Sequence, residues 1–318
     1  MATMALILAL QLAAPLLLIF CIAFLPLRGR VGFGIQATAT AAVLSAIALA
    51  GLWTVIPWWT PYAYGVLLVL AIAFSRGRAA ARSIASRSSL VRRAALAFYV
   101  CAGGFGLYQA ATALYGRIPP REDVVDLAFP LRAGRYVIAN GGASININAH
   151  MRTLDPTVPR FLAWRGQSYG VDIVQVDPIG FRADGLLPSA PTAYRIYGAK
   201  VFAPCSGTVV FAIDGVPDMR VPETDRAHML GNAVILRCAQ ADVVLAHLRP
   251  GSIRLAAGDR VDVGALIGEV GNSGNSDEPH LHIHAQSPGS ARQPMSGKPL
   301  PVSFGAAYLV RNDRVNPP

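Results

Sequence analysis

"VVLAHLRPGSIRLAAGDRVDVGALIGEVGNSGNSDEPHLHIHAQ", residues 243–286, decides how the C-terminal part of this chain is read. Short β-branched and aliphatic runs alternate with Gly, Asn, Asp and Pro, the pattern of strands joined by tight turns. Its last nine residues hold His280, His282 and His284 at alternate positions, half of the chain's six histidines. In a strand, residues two apart point to the same face. These imidazoles therefore project together, while Leu281 and Ile283 face the other way. Imidazole is the commonest side-chain ligand for zinc, and an H-x-H pair offers two nitrogens to one site. A hydrogen-bonded strand face without metal fits the same spacing.

The rest of the C-terminal part has the same texture. After "GRIPPRED" (116–123), a stiff polar exit, the runs "RYVIA", "SININA", "GVDIVQV", "AKVFA", "GTVVFAI", "NAVILRC" and "DVVLAHL" all read as strands. No amphipathic helix of about 12 residues or more stands out. The expectation is an all-β domain of antiparallel sheet, with longer loops between residues 150 and 235 bordering a groove. Cys205 and Cys238 are its only cysteines. In an exported domain such a pair persists as a disulfide; two buried free thiols are the alternative.

The N-terminal third differs. The first 121 residues hold ten Arg and no Asp or Glu, so the net charge of +10 belongs there. The remainder is neutral overall, which removes the basis for a nucleic-acid partner. Four apolar stretches, Ala5–Leu27, Val31–Ile56, Trp58–Phe74 and Ala94–Tyr115, read as membrane spans of about 20 residues each. Arg28 and Arg30 follow the first. Arg76, Arg78, Arg82, Arg87, Arg92 and Arg93 separate the third from the fourth. Placing both clusters in the cytoplasm gives four crossings with both termini outside, and puts "WTVIPWWTPYAY" at the outer headgroup layer. No basic residue precedes the first stretch, unlike a cleavable signal. No ionisable group lies within a span, so an anchor fits better than a transport path.

Within 243–286, Ala246-His247-Leu248 leads into Leu255, Gly258, Val261, Gly264 and Ile267-Gly268 at three-residue steps. Gly271-x-Ser273-Gly274 and Pro279-His280-Leu281-His282 follow. This order resembles the core of the lysostaphin/LytM-type zinc metallopeptidases, which cut peptide cross-links in bacterial cell walls. Leu255 stands where that family has Val. "YGAKVFAPCSGTVVFA" (197–212) is similar to a strand pair of the same family, and the resemblance covers about residues 146–286. It implies that Asp172 and His282 are zinc ligands, and that His247 and His280 are the catalytic histidines that orient the attacking water. His284 stands where the family has Glu or Gln, which implies a packing or supporting role.

The family's first ligand is a His four residues before the aspartate; here that position is Ser168. A third ligand must come from elsewhere, and with the other histidines placed, His150 and His228 remain. His150 ends the strand-like "GGASININAHM" (141–151) directly before the Asp172 segment, and an N-x-H stretch resembles divergent members. It is the expected third ligand. The alternatives are that His150 only ends a strand and that the solvated-loop His228 or a silent site replaces it. There is no HExxH, and "GNSGN" (271–275) is a structural turn.

The chain is thus expected to comprise a transmembrane helical anchor (1–118), a linker and leading strand (119–145) and a LytM/lysostaphin-type peptidase domain (146–318). The expected activity is that of a zinc metalloendopeptidase with one Zn2+ per domain. It would act on peptidoglycan peptides from a multi-pass bacterial inner membrane, with its C-terminal domain in the periplasm or outside. Partners would be the lipid bilayer and a component of the cell-wall or division machinery. A catalytically silent domain that binds cell wall or activates a partner hydrolase is the alternative.

Overall fold

The computed structural model describes residues 6, 7, 9–79, 89–121, 123–239, 241–288 and 293–317. Arg82 and Arg87 lie outside them. Two compact units are present: Met1–Leu52 with Trp58–Tyr115, and Trp53–Pro57 with Gly116–Pro318.

The first unit is helical. A π-helical turn at Ala9–Ala13 leads into α1 (Ala14–Phe24), followed by α2 (Gly29–Ala50), α3 (Thr60–Ala79) and α4 (Ser89–Tyr115). Gly103 and Gly106 let α4 approach α2 closely. A Cβ on Gly103 would meet Ala39 Cβ at 2.9 Å, and one on Gly106 would meet Val43 N at 2.8 Å. Small residues at a helix contact are the usual means of close packing where the surroundings are apolar. Gln36 is buried between helices, accepting from Leu27 N–H at 2.8 Å and donating to the Tyr99 hydroxyl at 3.1 Å.

The helix bounds differ from those expected. The second apolar stretch stops being helical at Ala50 rather than Ile56, because Trp53–Pro57 turns and belongs to the other unit. Gly29–Ala50 and Leu90–Tyr115 are long and apolar enough to cross a membrane, whereas Ala9–Phe24 and Thr60–Arg76 are shorter. Among the described residues, length and composition therefore single out two such helices, and the other two stretches are shorter.

The second unit is β-rich. Strands β1 (Val125–Leu127), β2 (Tyr136–Asn140) and β3 (Val171–Gln175) open it. They are followed by β4 (Lys200–Phe202), β5 (Gly207–Ile213), β6 (Asn232–Cys238) and β7 (Ala241–Leu248). Then come β8 (Arg260–Val261), β9 (Leu266–Glu269), β10 (Leu281–Gln286), β11 (Pro299–Leu300), β12 (Val302–Phe304) and β13 (Arg314–Val315). The main sheet runs β13-β2-β3-β10-β7-β6-β5-β8, with β11 added on β10, and every pairing in it is antiparallel. One face carries the main core, including Ile138, Ile173, Leu236, Leu245, Leu281 and Ile283. The strict alternation of β10 follows, since Leu281 and Ile283 face this core and His282 and His284 face away.

Three expectations need correction. "SININA" is not a strand: Ile147 and Asn148 N–H both bond to Ser144 O, which makes a turn that runs into a 3-10 helix at Ala149–Leu154. β4 and β5 do not pair with each other. β4 joins β9 in a separate two-stranded sheet, and β5 lies between β6 and β8. His280 precedes β10 rather than forming part of it.

Cys205 and Cys238 form a disulfide with their Cα atoms 6.0 Å apart. β5 begins beside the end of β6, with Thr208 opposite Arg237, which brings the two together. The bridge closes 33 residues of sequence, and by chain entropy its loss is expected to cost about 3–4 kcal/mol. Denaturant unfolding of the Cys205→Ala, Cys238→Ala double variant measures this. An unchanged midpoint would show that the bridge contributes no stability.

Candidate metal centre

Strand register builds the centre. In the β2–β3–β10 ladder Asn140 lies opposite Asp172, and Asp172 lies opposite His282. A bulge between Ile138 and Asn140 places the Asn140 side chain on this row. Asn140 Nδ2 donates to Asp172 Oδ2 at 2.8 Å, and His282 Nδ1 lies 2.8 Å from Asp172 Oδ1.

The third member comes from outside the sheet. His150 Nε2 is 3.0 Å from Asp172 Oδ2, and its ring packs edge-on against His282 with centroids 4.7 Å apart. Asn148 caps the 3-10 helix that carries it, accepting from His150 N–H at 3.1 Å. The same amide donates to Gly142 O and Gly170 O at 3.0 and 3.1 Å. Ser168, where the family's histidine would stand, points elsewhere: it is buried, donates to Arg165 O at 2.6 Å and touches Thr153 Oγ at 2.8 Å. Thr153 in turn donates to His150 O at 2.7 Å. Ser168 thus braces the helix that carries His150.

Gly170 is where the two rings need space. A Cβ there would lie 2.7 Å from His282 Cε1, 2.8 Å from Gln167 O and 3.3 Å from His150 Cδ2. Gly170→Ala is expected to push the rings apart and weaken zinc binding by about 10-fold or more, the scale of a supporting-shell lesion. Competition against a chromogenic chelator reads this directly, and an unchanged affinity would refute it.

The donor set suits a zinc ion. One atom each from His150, Asp172 and His282 lies within 4.8 Å of the others. Two imidazole nitrogens and a carboxylate oxygen leave a fourth position open, as hydrolytic zinc sites require. Burial pushes the Asp172 carboxyl up, but the His150 and His280 rings and the hydrogen bonds from His150 and His282 pull it further down. It is held well below the usual carboxylate range. Burial lowers the His282 imidazole to about 4, against the opposing pull of Asp172. An ionised carboxylate and a neutral imidazole are the forms that bind a metal.

His247 and His280 flank this group. His247 Nδ1 is 2.9 Å from Ser273 O and His280 Nδ1 is 2.8 Å from Glu278 O. A carbonyl only accepts, so both rings carry their proton on Nδ1 and keep a lone pair on Nε2. His280 Nε2 lies 3.6 Å from Asp172 Oδ1. The His247 ring is 4.9 Å from His280 and 5.9 Å from His282, centroid to centroid. His247 has φ 63°, a left-handed conformation that a non-glycine residue adopts at a cost and that clusters at functional sites. Burial, then His280 and His282, hold its pKa well below the ordinary value.

A profile of peptidase family M23 matches residues 192–294, which include His247, His280 and His282. This chain carries a peptidase family M23 segment. His150 and Asp172 precede the M23 match, so the cluster draws on both sides of its boundary. The chain is similar to an M23 peptidase from Pseudomonas aeruginosa, at 17% identity over 55% of this chain and 51% of that one, with a TM-score of 0.29. It is similar to the catalytic domain of lysostaphin from Staphylococcus simulans, at 23% identity over 40% of this chain and 71% of that one, with a TM-score of 0.25. A zinc-containing peptidase from Vibrio cholerae shares 17% identity over 36% of this chain and 46% of that one, with a TM-score of 0.23. The chain thus spans about half the length of the first of these structures. No curated protein matches it.

One supporting residue carries no signal in the sequence. Arg311, brought by the loop before β13, donates to Asn140 Oδ1 at 2.6 Å and Ala139 O at 2.9 Å. It thereby sets the amide that donates to Asp172, while burial lowers its own pKa to about 10. His228 pairs with Asp225 at 2.7 Å in an exposed loop and is not part of the cluster.

Proposed function

We propose that the C-terminal unit is a zinc metalloendopeptidase that hydrolyses peptide bonds of peptidoglycan. The observation that carries this reading is the convergence of His150, Asp172 and His282 with His247 and His280 at their side. His150, Asp172 and His282 would hold one zinc ion. Zinc bound there supplies Lewis-acid activation, bringing the pKa of a water toward about 7. The chain's own groups supply the rest. His247 and His280, each fixed by a backbone carbonyl, direct an Nε2 lone pair that takes a proton from the attacking water. The same atoms, once protonated, donate to the developing oxyanion or the leaving amine. Burial keeps the His247 ring in the neutral, accepting form at the outset.

The silent-domain alternative drew on Ser168. His150 beside Asp172 supplies the donor that Ser168 lacks, and this favours the active reading.

Four crossings, with both termini outside, would hold the unit on the outer side of a bacterial inner membrane where its substrate lies. The two helices of sufficient length and the arginine clusters that flank the apolar stretches support an anchor. A bilayer and a cell-wall or division protein are the proposed partners.

The full chain, purified in detergent, tests the reading through bound zinc and release of new amino termini from peptidoglycan sacculi. One zinc per chain, with cleavage lost in His282→Ala, is expected. Equal cleavage by wild type and His282→Ala would sink the mechanism. A C-terminal reporter active only in the cytoplasm would remove the substrate.

A further inference from the structure

His282 presents its two ring nitrogens to different neighbours. Nδ1 faces Asp172 Oδ1, whereas Nε2 lies 2.8 Å from His284 Nδ1. His284 and Gln286 are both fully buried and follow His282 on the same face of β10, two residues apart. Gln286 Nε2 donates to the Pro294 carbonyl. That carbonyl cannot donate, so the amide orientation is determined and Oε1 remains as an acceptor. Gln286 Oε1 and His284 Nε2 are, among the described residues, buried polar atoms without a hydrogen-bond partner. Such atoms are costly to leave unpaired.

Two proton arrangements are open to this row. With the His282 proton on Nδ1, His284 must donate from its own Nδ1. Its Nε2 lone pair then has another acceptor, Gln286, as its neighbour on this face, and both atoms stay unsatisfied. With the His282 proton on Nε2, His284 Nδ1 accepts it and His284 Nε2 carries the next proton, which Gln286 Oε1 takes. A small side-chain movement then pairs His284 Nε2 with Gln286 Oε1, so that every polar atom in the row has a partner, and the His282 Nδ1 lone pair is directed at Asp172 and His150. The hydrogen bond made by one imidazole nitrogen selects the tautomer presented by the other.

We propose that Gln286, acting through His284, is a positioning residue that holds His282 as the Nε2–H tautomer when zinc occupies the centre. This rests on the centre being a zinc site. Pro294 is at the end of the relay, so a backbone carbonyl remote from the metal sets the ligand's proton.

The test uses the full chain in detergent with isotope-labelled histidine, titrated with zinc alone. Ring nitrogen resonances report the tautomers, and competition against a chelator reports the affinity. In the zinc-loaded wild type, His282 and His284 are expected to show a protonated Nε2. Gln286→Met keeps the shape and removes the acceptor. It should lose the His284 signature and weaken zinc binding by about 10- to 100-fold. Wild type and Gln286→Met with the same ring signals and the same affinity would overturn the relay and leave the metal centre standing. A wild type that binds no zinc would overturn both. If Gln286→Met does not fold, His284→Leu, which removes the intermediate acceptor, is read in the same way: unchanged affinity rejects the relay.

Discussion

His150→Ala is expected to strip zinc from the purified chain as completely as His282→Ala does, while Ser168→Ala keeps it. The reason is geometric. His150 Nε2 and His282 Nδ1 lie on either side of the Asp172 carboxylate, at 3.0 and 2.8 Å. Removing either leaves two donors, too few for a stable catalytic zinc site. The affinity loss should exceed the roughly 10- to 100-fold that follows removal of a supporting residue. Ser168 spends its hydroxyl on Arg165 O and Thr153 and offers nothing to the metal. Metal analysis after dialysis decides the matter. Full zinc occupancy in His150→Ala would reject the assignment, and zinc loss in Ser168→Ala would move the third ligand to that segment.

The second large effect is expected at His247 and His280. Each replacement by Ala should lower the cleavage rate by about 10²- to 10⁴-fold, the usual worth of a positioned acid–base group. Zinc content should stay near that of the wild type, because neither ring is among the three donors. The separation of the two readouts is the informative part. A rate that falls only in step with zinc content would make these residues structural. Loss of zinc in His280→Ala alone would mean that its Nε2, 3.6 Å from Asp172 Oδ1, belongs to the metal shell.

The sequence alone determined the strands from β2 to β10, because alternation and turn chemistry are local properties; β1 and the short strands β11 to β13 were not legible in it. Val171–Gln175, Ala241–Leu248 and Leu281–Gln286 are legible in this way, and so is the pairing of Cys205 with Cys238, the only two cysteines beyond the helices. The resemblance to the lysostaphin/LytM-type metallopeptidases was legible for the same reason: Ala246-His247-Leu248 and Pro279-His280-Leu281-His282, which carry it, each sit within a single segment.

Only the tertiary structure decided the rest. Asn140, Asp172 and His282 form one row because β2, β3 and β10 pair in that register, and register depends on the whole sheet. "SININA" alternates like a strand, yet Asn148 reaches the carbonyls of Gly142 and Gly170 and turns it into the start of a 3-10 helix. No local pattern shows a partner about 20 residues away, which is why tertiary context overrides propensity there. Arg311 and Gln286 escaped notice because their value lies in what they touch: Asn140 in one case, the face shared with His284 in the other. The helix bounds divide likewise. Apolarity marked the stretches, but where Trp53–Pro57 leaves the helix was decided by the unit into which it folds.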